Sequence, residues 1–199
     1  MTIDRARFAS AMTYDEFKGQ MTRNRERLEE NEGRVEIDRD HLAAFRALPK
    51  PLHVLVLAED WCGDVIANLP VLARVAEESG KLDVRILLRD QNTDVMDQYL
   101  NQGKYKSIPV FVFLDEEFRE LGHWIERPVS VTELRAKKRR EIFASDPCFG
   151  SPDAPVDQLP EDVRSRLQER LAKMRDETTP FANAEVIREL RELVTRVVA

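Results

Sequence analysis

Cys62, followed directly by a glycine, is the residue of this chain best suited to do chemistry. It lies within EDWCGDV (residues 59–65), between a strongly apolar run and a run with helical periodicity. A thiol at the start of a helix is close to unpaired N–H groups, which stabilise a thiolate and so lower the pKa of the thiol. Such a thiolate can attack a disulfide, leaving a mixed disulfide that another thiol resolves.

Carboxylates near Cys62 work in the opposite direction. Asp64 suits the first turn of a helix, but as a like charge it disfavours a thiolate. Glu59 and Asp60 add more negative charge. We therefore expect the pKa of Cys62 to lie below that of a free cysteine, ~8.5, but above those of strongly acidic thiols. Replacing Asp64 with Asn is expected to lower it.

The elements that must position Cys62 can be predicted from the pattern of apolar residues. The run at 52–58 is typical of a strand buried on both faces. A helix over about 63–79 follows, with Pro70 in its interior. The remaining predicted elements of this block are a short strand at 34–37, a helix from 38 to 48, strands at 84–88 and 108–114, a helix between these two, a hairpin strand at 118–124 and a helix over 130–144.

Two helical regions flank this block. A single helix is predicted over 13–31, and two helical patterns, the second capped by Asn183, end the chain after a proline-rich connector at 145–160. The predicted domains are an N-terminal helical extension (1–33), a central domain (34–144) and a C-terminal part (145–199). Because the flanking helices have apolar stripes, we expect them to cover the core or a second subunit, as in a homodimer.

The order of these elements resembles the thioredoxin fold. Residues 34–144 carry the resemblance, and the EDWCGD context is similar to that of bacterial thioredoxin-like proteins. Three local matches support it: Trp61-Cys62-Gly63 between a strand and a helix, Asp90-Gln91-Asn92 after the next strand, and Ile108-Pro109 at the start of another. The resemblance implies an α/β, thioredoxin-like fold, with a mixed central sheet between helices and with N- and C-terminal helical additions. It also implies that Pro109 is cis and lies against Cys62.

The departures from the thioredoxin pattern all affect the chemistry. Val65 replaces the second cysteine of the CxxC motif, and Asp64 replaces the usual proline. The position of the buried carboxylate is Val56, and that of its companion lysine is Ile86. The resolving thiol and the groups thought to assist its deprotonation are therefore missing together.

A single thiol still permits a monothiol reaction, which is our leading hypothesis. Cys62 would be the nucleophile, and Gly63 would let the helix begin tightly. Pro109 and the backbone of Ile108 would hold an extended substrate by strand-like pairing, with Trp61 and Asp64 beside it. The expected partner is a protein or small-molecule disulfide or thiol. Glutathione or another low-molecular-weight thiol would be the co-substrate, and no other cofactor is expected.

Several alternatives remain open. The chain could be a non-catalytic module that binds a peptide or protein in the thioredoxin groove, with Cys62 an unreactive packing residue. Trp61 could be a packing residue, and Pro109 a trans proline that begins a strand. Cys148 is either a distant resolving cysteine or a lone loop cysteine, since a disulfide needs Cα atoms within roughly 7 Å of each other.

Composition excludes several other classes of protein. The net charge of −6 over 199 residues gives no reason to expect a nucleic-acid partner, and the basic run at 135–140 is better explained as a solvated helix face. Two cysteines and three histidines show no metal-ligand spacing, and His123 is expected to be structural. With no apolar run of membrane-spanning length and no secretory signal, a cytoplasmic protein that does not bind membranes is expected.

Overall fold

The computed structural model describes residues 3–198, which divide into two compact units. The first unit runs to Arg127 and resumes at Val186, and the second comprises Pro128–Glu185. Each unit has its own cluster of buried apolar side chains. The two units meet in the chain at 127/128 and 185/186, whereas the domain boundaries predicted from the sequence are 33/34 and 144/145. The predicted domain boundaries remain a proposal.

A four-stranded mixed sheet forms the centre of the first unit. Its order is β2-β1-β3-β4; β1 and β2 are parallel and the other neighbours are antiparallel. Every residue of β3, and all but one of β1, is buried, as expected for strands covered on both faces. The α/β fold predicted from the sequence is therefore confirmed. The strands are β1 (Leu52–Ala58), β2 (Leu82–Leu88), β3 (Val110–Leu114) and β4 (Glu120–Ile125).

Helices of the first unit pack around this sheet. The long helix α5 follows β1 directly and buries eight residues, including Pro70 in its interior. Both α3 and α4 contact α5. Asp38 caps α4 as predicted, since its carboxylate accepts from the N–H groups of Asp40 and His41. The helices are α1 (Arg5–Ser10), α2 (Tyr14–Gln20), α3 (Arg25–Glu32), α4 (Arg39–Arg46), α5 (Gly63–Ser79) and α6 (Thr93–Met96).

Val56 and Ile86 are direct partners across the parallel pair β1 and β2. Both side chains are fully buried. The resemblance to thioredoxin assigned a carboxylate and a lysine to these two positions. The described structure instead has a buried apolar pair there, and neither side chain can accept a proton.

Two predictions for the N-terminal region were wrong. The single helix over 13–31 is two helices, α2 and α3. The first ends at Gln20, where Met21 leaves the helical conformation, and Asn24, with a left-handed backbone (φ 57°), precedes the second. The segment 34–37 is not a strand. Instead, Met12 forms an isolated antiparallel bridge with Ile86 on β2, with hydrogen bonds of 2.9 and 2.7 Å.

The second unit is helical. It contains α7 (Val129–Ala144), two short 3-10 helices (Pro147–Phe149 and Val156–Gln158) and the first part of α8 (Glu161–Val198). The two predicted terminal helices are this one helix of 38 residues, so Asn183 is an interior residue and not a cap. The helix continues through Pro180, which has no N–H to donate. Separately, the hydroxyl groups of Thr178 and Thr179 donate to the carbonyls of Met174 and Arg175 in the preceding turn.

Among the helices formed by residues 3–198, none combines the length and the apolar character that a membrane crossing requires.

Candidate functional site

Cys62 lies where β1 ends and α5 begins. It is the N-cap residue of α5, with extended backbone angles, and its carbonyl accepts the first helical hydrogen bond from the N–H of Ile66, at 3.1 Å. Its thiol donates to the carbonyl of Ile108, with a Sγ–O distance of 3.4 Å. The Ile108–Pro109 peptide bond is cis. The predicted residues Cys62, Ile108 and Pro109 thus lie together, at the edge of the sheet where β1 ends and β3 starts.

The thiol environment differs from the one expected from the sequence. Burial raises the pKa of the Cys62 thiol above its ordinary value, and this is the largest effect. The N–H groups of Val65 and Asp64 favour the thiolate, as does Arg89, whereas the Asp64 carboxylate opposes it. The helix terminus acts in the predicted direction, but it does not outweigh burial, which the sequence could not show.

Trp61 is an exposed aromatic residue beside the thiol, with 42% of its surface accessible. The guanidinium of Arg89 lies over its ring, 4.8 Å from the centroid. Arg89 also pairs with Asp90 at 2.7 Å and donates to the carbonyl of Lys106 at 3.1 Å, on the segment before the cis peptide. Arg89 was not predicted as a site residue, since only the folded β2 terminus brings it to Trp61.

Asp64 forms an ion pair that the sequence did not indicate. Its carboxylate oxygen lies 2.5 Å from Nη1 of Arg127, which follows β4 in the chain. The other guanidinium nitrogen, Nη2, lies 2.8 Å from a carboxylate oxygen of Glu126. Because 63 residues separate Asp64 from Arg127, no local pattern could have found the pair.

Three hydrogen bonds hold the turn at Glu126, which has a left-handed backbone (φ 66°). Its N–H donates to the carbonyl of Pro109 at 2.8 Å. Its own carbonyl accepts from the buried amide of Asn68 on α5, also at 2.8 Å. Its carboxylate accepts from the amide of Asn101 at 2.8 Å. The turn is therefore tied both to the cis-proline segment and to α5, which places the next residue, Arg127, at the first turn of α5.

The two acidic residues before Trp61 have structural partners. Glu59 is buried, which raises the pKa of its carboxyl group, and it accepts from the N–H of Asp90 at 2.8 Å. The carboxylate of Asp60 accepts from two N–H groups, those of Thr22 and Arg23, and from the hydroxyl of Thr22. Asp60 therefore binds the segment between α2 and α3 to the loop between β1 and α5, which carries Cys62.

Replacing Asp60 with alanine is expected to lower the free energy of unfolding by about 2 kcal/mol, because charge-assisted hydrogen bonds to the 22–23 segment are lost. Urea unfolding of both proteins measures the difference. Glu30→Ala, an exposed change on α3, is the control and should have an effect within about 0.5 kcal/mol. An equal loss in the two variants would contradict the structural role of Asp60.

The remaining candidates have other surroundings. Cys148 lies in the second unit, exposed, in the 3-10 helix Pro147–Phe149, and like Cys62 it is a free thiol. His123 pairs through Nδ1 with Glu120 at 2.7 Å. Throughout residues 3–198, no group of three or more His, Cys, Asp or Glu side chains is arranged to hold a metal ion.

Comparison with known proteins places this geometry in a family. A sequence model of a thioredoxin family matches residues 11–139, more than half of the chain. This chain belongs to the thioredoxin family. No curated protein matches it.

Two solved structures share the fold of this thioredoxin-family chain. A protein of unknown function from Pseudomonas aeruginosa is 19% identical, with a TM-score of 0.60, over 85% of this chain and 96% of the other. An HIV epitope scaffold is 17% identical, with a TM-score of 0.65, over 97% of this chain and 98% of the other. At these identities, the likeness establishes the fold alone.

Proposed function

We propose that this thioredoxin-family protein carries out thiol–disulfide exchange with a single thiol, that of Cys62. The position of Cys62 carries the proposal: its sulfur is at the N-cap of α5, near the N–H groups of the first turn, and contacts the Ile108 carbonyl beside cis Pro109. The position of a second thiol is occupied by Val65, which is fully buried. A mixed disulfide at Cys62 would therefore have no neighbouring thiol in α5 to resolve it.

The exchange proceeds in two balanced steps. The Cys62 thiolate attacks one sulfur of a disulfide RS–SR′, an S–S bond forms between Cys62 and R, and R′S⁻ leaves and takes a proton from water. A low-molecular-weight thiolate such as glutathione then attacks the mixed disulfide, so that Cys62 is released and R is carried away as a new disulfide. Oxidation state is exchanged among sulfurs, so no further oxidant or reductant is needed.

Supporting roles in this proposal belong to residues around the sulfur. The exposed Trp61 would contact the substrate, and the backbone of Ile108 would pair with an extended substrate segment. The second step needs a reduced thiol pool, which the cytoplasm supplies, so a cytoplasmic location is part of the same proposal.

Gly63 offers a test of substrate approach. It is exposed at the first helical position, and a Cβ added there would have no atom within 4 Å other than those of its chain neighbours and of the backbone of its own helix. Gly63→Ala is therefore expected to leave thermal stability unchanged or slightly raised, by up to about 1 kcal/mol, while slowing reaction with protein disulfides more than with small ones. If Gly63→Ala slows the reactions with protein disulfides and with small disulfides by the same factor, or slows neither, substrate does not approach over Gly63.

Intact-protein mass spectrometry tests the exchange itself. The Cys148→Ser variant, incubated with oxidised glutathione at pH 8, is expected to gain one glutathione on Cys62 and to lose it on addition of reduced glutathione. Cys62→Ser, Cys148→Ser is the matched control and should gain none. If Cys62 takes no adduct, single-thiol exchange is refuted.

A second candidate function is a non-catalytic module that binds an extended peptide or protein segment. The raised pKa of Cys62 favours it, because a buried thiol that remains protonated is a poor nucleophile. Peptide binding that is unchanged in Cys62→Ser, together with the lack of any adduct, would support this candidate over exchange.

A further inference from the structure

A carboxylate in the first turn of α5 is unfavourable for a reacting thiolate two residues earlier. Asp64 is that carboxylate, and it is largely shielded from solvent, with 20% of its side chain exposed. At such a site the repulsion between Asp64 and a thiolate is screened less than it would be in open water. A site that uses the Cys62 thiolate therefore needs something to offset this charge.

Arg127 lies where its positive charge can offset that of the Asp64 carboxylate. Its guanidinium lies 2.5 Å from the Asp64 carboxylate, and it is itself only 33% exposed. The turn that carries it is fixed by the hydrogen bonds of Glu126 to Pro109, Asn68 and Asn101 described above. The same turn thus contacts the cis-proline segment and α5, so the position of Arg127 is built into the site and is not that of a mobile surface arginine.

We propose that Arg127 is a positioning residue for the Cys62 reaction, which offsets the Asp64 carboxylate so that a thiolate can form at the sulfur. The inference rests on the proposed exchange at Cys62 and names a further residue for it. Arg127 acts on the sulfur through its pair with Asp64 and through its own charge, and it need not touch the substrate.

Charged groups reach Cys62 from several elements. Asp64 acts from α5, Arg89 from the 3-10 helix after β2, and Arg127 from the turn after β4. Arg89 is held by Asp90 and by the carbonyl of Lys106, not by Asp64. Removal of Arg127 is therefore expected to expose the Asp64 charge to the sulfur more than removal of Arg89.

The test compares variants of the Cys148→Ser protein by titrating the thiolate absorbance of Cys62 near 240 nm. Arg127→Gln is expected to raise the pKa of Cys62 by about one unit, which lowers the thiolate fraction at pH 7 about tenfold. Asp64→Asn is expected to lower that pKa. The double variant should return towards the parent value, and Arg127→Lys, which keeps the charge, should remain near it.

Arg119→Gln is the matched control. Arg119 forms a comparable pair with Asp115, at 2.7 Å, beyond the opposite end of β3. Its loss should leave the pKa of Cys62 unchanged. Circular dichroism and urea unfolding of each variant separate a change at the sulfur from a loss of fold. If Arg127→Gln does not fold, Arg127→Lys is used in its place, and adding Asp64→Asn to Arg127→Lys should still lower the pKa of Cys62.

The outcomes separate this inference from the proposed function. An unchanged or lower pKa in folded Arg127→Gln overturns the role of Arg127, as does a double variant that keeps the Arg127→Gln value. Because absorbance detects the thiolate without any disulfide, these results stand even if exchange fails. Conversely, opposite shifts in the single variants with no glutathione adduct at Cys62 would overturn the proposed exchange and leave only the charge relation between Asp64 and Arg127.

Discussion

Val65→Cys is expected to increase the turnover of insulin reduction with dithiothreitol by on the order of tenfold or more. In the natural chain, a mixed disulfide at Cys62 has no thiol in α5 to attack it, so we expect a thiol from solution to resolve it. A cysteine at position 65, in the first turn of α5, would attack it within the molecule, at an effective concentration well above that of an added thiol. The rate should still stay below that of a dithiol thioredoxin, because the buried pair Val56 and Ile86 offers no proton acceptor.

Val65→Ala is the matched control, since it removes volume at the same buried position without adding a thiol. It should reduce insulin as poorly as the natural chain. Robust insulin reduction by the natural chain that disappears in Cys148→Ser would show that the distant cysteine resolves the intermediate. Equal rates for Val65→Cys and Val65→Ala would show that resolution does not limit turnover.

The second large effect concerns the pH dependence of Cys62. Burial raises the pKa of this thiol, so the reactive thiolate is scarce at neutral pH and increases as the pH rises through that value. Each unit by which the pKa is raised lowers the thiolate fraction at pH 7 about tenfold. Alkylation by iodoacetamide in the Cys148→Ser background is therefore expected to be slower at pH 7 than that of a free cysteine, and its midpoint is expected at a higher pH than that of the free cysteine.

A peptide with one unhindered cysteine is the reference for this profile, and Cys62→Ser, Cys148→Ser gives the background. A midpoint below that of the peptide would mean that the helix terminus and Arg89 outweigh burial. A rate that stays at background up to pH 10 would mean that the sulfur is inaccessible, which would contradict exchange at this site.

Local patterns in the sequence were sufficient for much of the fold. Continuous apolar runs predicted β1 and β3, because buried strands leave this signal without reference to distant residues. The cap at Asp38 and the start of α5 after Cys62 were also local features. The resemblance to thioredoxin, and no local pattern, implied that Pro109 lies against Cys62, and in the structure the thiol contacts the carbonyl of Ile108.

One error arose where distant contacts override a local pattern. The helix over 13–31 is interrupted at Asn24, where Asp60, 36 residues away, binds the chain. At the C-terminal end, two helices were predicted with Asn183 as the cap of the second, whereas residues 161–198 form the single helix α8, which continues through Pro180.

The same limit applies to the chemistry of the site. Burial of the sulfur depends on how α5 and the cis-proline segment pack together, and a sequence pattern carries no information on this. The partner of Asp64 is likewise fixed by the Glu126 turn, whose hydrogen bonds come from three separate segments. Sequence reasoning named the residues next to the cysteine and, through the family resemblance, Ile108 and Pro109. Arg127, which pairs with Asp64, could be found only from the fold.

The central claim, exchange through a mixed disulfide at Cys62, is tested most directly by following that intermediate during turnover. A glutathionylated peptide and reduced glutathione are mixed with the Cys148→Ser protein, samples are quenched with acid, and the adduct on Cys62 is quantified by mass spectrometry against peptide release. The account predicts that the adduct forms and decays at rates that match turnover, and that Cys62→Ser abolishes both. Peptide release that continues without an adduct, or in the Cys62→Ser variant, would contradict it.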